Sequence, residues 1–68
     1  MKYPNIEAER ARTGMTKIAL ATEIGVSPDT MKNWQNGKNE IPASKIVAMA
    51  DLFKVTTDYL LGRASTNA

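Results

Sequence analysis

The side chains able to do chemistry in this 68-residue chain are of a narrow kind, because it has no cysteine and no histidine. That excludes disulfides, zinc and haem sites of the usual kinds, Cys or His nucleophiles and any triad built on His. Glu7 and Glu9 fall on different faces of a helix, so no carboxylate pair is placed for acid–base work. The glycines are scattered singly and form no phosphate-cradling loop. What is left is mainly cationic and hydrogen-bonding: nine Lys and Arg, with Asn, Gln, Ser and Thr side chains. Groups of this kind bind rather than transform. The chain reads as no enzyme, with no cofactor, no metal and no small-molecule ligand evident.

The bulk properties agree. A content of 43% hydrophobic and 24% charged residues suits a folded chain and is too apolar for a disordered one. The length allows one small domain, read over residues 1–62, with 63–68 as a flexible tail. Nine Lys and Arg against seven Asp and Glu leave a net charge of +2, too small by itself to announce a polyanionic partner. Placement of the cations matters more than their sum. The longest apolar run, Ile46 to Ala50, is five residues, far short of a membrane span. No apolar signal core follows Met1, and the chain is expected to be cytoplasmic.

Apolar residues recur at helical spacing and nowhere alternate for long, so the expected fold is all-α, with five short helices. Asn5 is expected to cap a first helix over Ile6 to about Thr13, with Gly14 stopping it. Thr16 caps a second, from Lys17 to Glu23 or Ile24, whose inward face is Leu20, Ala21 and Ile24. Gly25 ends it. Ser27 caps a third, with Pro28 at its first position, and this helix runs to Asn36 and stops at Gly37. A fourth starts between Pro42 and Ser44 and carries a core stripe of Ile46, Met49, Ala50 and Phe53. Thr56 caps a short last helix, Thr57 to Leu61, closed by Gly62.

Thr16 to Gly37 is the informative stretch. A helix of about eight residues, the turn Gly25-Val26-Ser27 and a helix of about nine is the layout of a helix-turn-helix. Leu20, Ile24, Val26, Met31 and Trp34 would face inward, Ala21 is small where the helices meet, and Gly25 allows the turn. Trp34, at helical spacing from Met31, belongs to the core rather than to a base-stacking platform.

On these residues the chain resembles the Cro/repressor type of helix-turn-helix domain, the XRE class of phage and bacterial regulators. The shared pattern covers about Ile6 to Gly62: Arg10, Gly14-Met15-Thr16, Leu20-Ala21, Ile24-Gly25-Val26-Ser27, Thr30, Trp34-Gln35-Asn36-Gly37, Ile41-Pro42, Ile46, Met49-Ala50, Phe53, Val55-Thr56 and Asp58-Tyr59-Leu60-Leu61-Gly62. The resemblance implies a compact five-helix bundle of the lambda-repressor-like type, with its helix-turn-helix at about Lys17–Asn36. It implies that the third helix enters the DNA major groove while the second crosses the phosphate backbone. Carried over position by position, the base readers are Pro28, Asp29, Lys32 and Asn33, with Ser27 and Thr30 at the edge. Phosphate contacts fall to Thr16 and Lys17, and beyond the third helix to Asn36, Lys38 and Asn39. Gln35 stands where many members have a glutamate paired with the arginine matching Arg10; its amide is expected to hydrogen-bond Arg10 without an ion pair.

The implied partner is double-stranded DNA, bound by a homodimer acting as a Cro-like repressor. Leu60 is assigned to the core, and Thr56, Thr57 and Tyr59 to the dimer interface. The competing reading is an antitoxin or adaptor-like protein-binding module that keeps the fold with weak DNA reading. Pro28-Asp29, which offers no strong base donor, is the feature in its favour.

Overall fold

Three of the five helices begin on a hydroxyl. The side-chain oxygens of Thr16, Ser27 and Thr56 accept from the backbone N–H groups of Ala19, Thr30 and Tyr59. Each thereby satisfies a donor that a helix start leaves open. Of the other two, one has Pro4 in its first position, where a fixed φ suits helix entry and the missing N–H costs nothing, and the other follows Pro42 at its cap position. In this computed structural model, which describes residues 3–63, the elements are α1 (Pro4–Arg12), α2 (Lys17–Ile24), α3 (Pro28–Gln35), α4 (Ala43–Phe53) and α5 (Thr57–Leu60). No strand occurs among the described residues.

The expected start of α1 is corrected. Pro4, not Ile6, is its first turn, Tyr3 occupies the cap position, and no side chain caps it. Asn5 instead donates from Nδ2 to the Tyr59 carbonyl at 2.7 Å, tying the start of α1 to α5. With Pro4 already in the first turn, Asn5 lies inside the helix and past the position from which a side chain could cap it.

All five helices close the same way. The chain turns through a positive φ at Gly14, Gly25, Gly37, Lys54 and Gly62. Around Gly25, at φ 75°, the N–H groups of Gly25 and Val26 return to the carbonyls of Thr22 and Ala21. This paired closure uses carbonyls that the helix itself leaves open. Lys54 is the one side chain placed there, at φ 59°, in a region that L-residues enter at a cost. Arg63 belongs to the last closure, since its N–H donates to the Asp58 carbonyl at 2.8 Å. The rest of the segment expected as a tail, 64–68, lies outside the described residues, as do residues 1 and 2.

Packing follows from the stripes. Helix α4 sits centrally, against α1, α2 and α5, while α2 packs on α3. The core is Ile6, Leu20, Ala21, Ile24, Met31, Trp34, Ile46, Met49, Ala50, Phe53 and Leu60, all buried. Val26 and Met15 pack on its edge rather than inside it. One charged group is buried with them. Glu9, 7% exposed, accepts from the Tyr59 hydroxyl at 3.2 Å and from Arg12 Nε at 2.9 Å. These partners, rather than any acid–base role, account for a carboxylate in that position.

Candidate nucleic-acid interface

Thr16 and Ser27 cap successive helices, and the first residues of both, Lys17 and Ile18 of α2 and Pro28 of α3, line one cleft. Helix α3 buries only Met31 and Trp34. Its other positions divide by period: Pro28, Asp29 and Lys32 are exposed, and Asn33 is half-buried. Ser27 is exposed as well, with its hydroxyl engaged in the cap and 3.0 Å from the Thr30 hydroxyl. Thr16 and Lys17 stand exposed at the start of α2.

Between these two helices lies an open cleft of about 380 Å³, lined by Lys17, Ile18, Pro28, Met31, Lys32, Gln35 and Asn36. It brings together four residues singled out from the sequence: Lys17, Pro28, Lys32 and Asn36. Two of the lining residues are cations and none is a carboxylate. Ser27, Asp29 and Asn33 lie outside its lining. Lys38 and Asn39 are exposed on the loop after α3, past the closure in which the Lys38 N–H returns to the Asn33 carbonyl.

A cationic cleft with polar rims beside a helix whose outer face is unpacked is an arrangement that accepts a polyanion. A helix-turn-helix family profile matches residues 6–60, from within α1 to the end of α5. The chain belongs to the XRE-type helix-turn-helix family of DNA-binding domains. A search of curated proteins returned no match. The family is one of DNA-binding regulators and not a catalytic one. Within this helix-turn-helix domain, no helix among the described residues is long and apolar enough to cross a membrane.

The domain holds its third helix by a network that differs from the expected one. Gln35 does not bond Arg10. Its Nε2 donates to Glu7 Oε1 at 2.8 Å, and Arg10 grips the same carboxylate, with Nη2 2.9 Å from Oε2. Arg10 Nη1 also donates to the Met15 carbonyl at 2.7 Å, fixing the turn into α2. Glu7 is therefore the common acceptor joining α1 to the end of α3. An ion pair is present after all, but with Glu7 as the acid. A neutral amide at position 35 fits because it donates where a second carboxylate would repel. The hydrogen bond to Glu7 raises the Arg10 pKa further above its usual value, so the guanidinium stays charged.

Sequence reasoning missed three contributors. Glu7 was legible only as a carboxylate on a different helix face from Glu9. Lys45, half-buried on α4, donates from Nζ to the Ile24 carbonyl at 2.9 Å and so supplies a cation to the carboxy end of α2. Ile18 is 64% exposed and forms one wall of the cleft. The signal for Ile18 was its position off the Leu20, Ala21 and Ile24 stripe.

The three residues assigned to a dimer interface separate. Tyr59 is half-buried in the seam with α1, its hydroxyl donating to Glu9 Oε2. Burial pushes its phenol pKa up, and the bond to Glu9 adds to the shift. Thr56 is exposed at its cap. Thr57 lines a second groove, of about 310 Å³, with Tyr3, Ile41, Ala43, Ile46, Val47 and Leu61. That groove contains no charged residue.

Proposed function

We propose that the chain is a sequence-specific transcriptional regulator, a Cro-like repressor that sets α3 in the major groove of an operator and acts as a homodimer in the cytoplasm. The observation that carries this reading is the cleft between α2 and α3, with Lys17, Lys32 and Asn36 on its rim and no carboxylate in its lining. A major groove about 12 Å wide accepts one helix. With α3 in it, Lys32 donates to guanine O6 and N7, Asn33 pairs with adenine, Asp29 accepts from cytosine N4, and Pro28 and Ser27 border the site. Thr16 and Lys17 take phosphates on one strand, and Asn36, Lys38 and Asn39 on the other. One such domain reads only a few base pairs, which favours a pair of domains on two half-sites. The uncharged groove holding Thr57, with Val47 at 49% exposure on its rim, suits a second copy. Thr56 stands next to Thr57 at the start of α5, whereas Tyr59 serves the α1–α5 seam.

The test is selection from a random duplex library, followed by salt titration on the enriched sequence. The expected product is a two-fold symmetric site with half-sites about one helical turn apart. Recovery of no consensus, with only weak salt-sensitive binding, rejects the reading in favour of a protein-binding module. On the selected duplex, Lys17→Ala is expected to weaken binding to all sequences alike and to reduce the salt slope by about 1. Asn33→Ala is expected to cost about tenfold at a single base pair and to relax preference there, read by competition with each substituted duplex.

A further inference from the structure

Two large hydrophobic side chains are exposed among the described residues, Ile18 at 64% and Val47 at 49%. Their surroundings differ. Val47 lies on the uncharged groove, while Ile18 lies in the cleft with Lys17 and Lys32. An apolar wall beside two cations suits a partner that is anionic overall and yet presents a small apolar edge. Duplex DNA has one such group in its major groove, the 5-methyl of thymine. Ile18 shares the cleft with Pro28 and Lys32, the outer residues of α3 at i and i+4, so whatever α3 faces lies within the reach of the same cleft. Met31, almost wholly buried, makes the floor apolar as well.

We infer that Ile18 is a specificity-determining residue that reads a thymine methyl at the edge of each half-site, with Pro28 as the facing wall of the contact. The inference rests on the proposed DNA-reading function and deepens it. It places sequence preference on α2, the helix otherwise assigned to phosphates. Lys17 and Lys32 hold the backbone and the neighbouring base, and Ile18 supplies no hydrogen bond. The preference it confers is for the methyl alone.

The experiment uses the selected duplex with each thymine replaced in turn by deoxyuridine, which deletes the methyl and leaves every hydrogen-bonding group in place. With the native chain, one position per half-site is expected to lose roughly three- to fivefold in affinity, the worth of one buried methyl. With Ile18→Ala, that position is expected to become indifferent to the methyl, while other thymines respond as before. Because Ile18 is mostly exposed, the variant keeps its fold, which a melting curve checks. Equal deoxyuridine penalties in native and Ile18→Ala chains overturn the inference. So does a uniform loss across all duplexes with no methyl dependence, which would assign Ile18 to the sugar–phosphate backbone. A library that yields no consensus sinks the DNA-reading function itself; a clear consensus without a methyl effect sinks only the role of Ile18.

Discussion

Trp34→Ala is expected to cause the largest loss of stability of any single substitution considered, about 3–5 kcal/mol. Trp34 is 4% exposed and belongs to the one buried cluster that also holds Leu20, Ala21 and Ile24 of α2 and the core stripe of α4. Truncating a buried aromatic costs about 3–5 kcal/mol through lost burial and the cavity left behind. A domain of this length has a total stability of only about 3–10 kcal/mol, and it has no disulfide to lean on. Urea denaturation followed by circular dichroism measures the effect. The same substitution separates two roles for the indole. A tryptophan that stacked on bases would stand exposed, and its loss would spare the fold while weakening DNA binding. A variant with native melting behaviour would contradict the core assignment.

Glu7→Ala is expected to have the next largest effect, a loss of about 2–3 kcal/mol of stability. Bonds to charged groups are worth about 1.5–3 kcal/mol, and leaving a partner unsatisfied adds to the loss. Here one carboxylate serves both Arg10 and Gln35. The side chains of Arg10 and Glu7 are 20% and 32% exposed, so water recovers part of the loss and holds the figure below the sum of the bonds. Gln35→Ala, which leaves the Arg10–Glu7 pair intact, is expected to cost less, about 0.5–1.5 kcal/mol. A double-mutant cycle between positions 7 and 35 isolates their coupling. Additive losses would mean that the two residues do not act on each other. Glu7→Ala should also weaken DNA binding in the fraction that remains folded, since α3 loses its tether to α1.

The helices were legible because their signals are local. Thr16, Ser27 and Thr56 stand one residue ahead of helical stripes, and the hydroxyl of each finds an N–H three residues on. Glycines follow four of the helices at the position that needs a positive φ. The buried stripe of α4 was readable from its spacing alone. What could not be read were bonds between residues distant in sequence. Asn5 looked like a cap because caps are local; its actual partner, Tyr59, is 54 residues away. Gln35 was paired with Arg10 by analogy, and nothing in one dimension showed that Glu7 would intervene. At the interface, period alone separates Lys17 and Lys32 from the core, whereas the cleft that joins them with Ile18 exists only once α2 and α3 cross. The roles proposed for Ser27, Pro28, Asp29, Lys32 and Asn33 rest on that crossing and on the chemistry of base edges.

Lys45 gives the domain a ruler. Its ammonium reaches from α4 to the last carbonyl of α2, at the corner from which α3 departs. The same helix begins at Ala43, on the rim of the uncharged groove. If two copies meet through that groove, the path from the two-fold axis to each reading helix runs along one stiff helix and through one charged bond. Little play remains in it. Such a dimer would tolerate changes in the letters of its operator more readily than the gain or loss of a base pair between half-sites, and loosening Lys45 would relax spacing before it relaxed sequence.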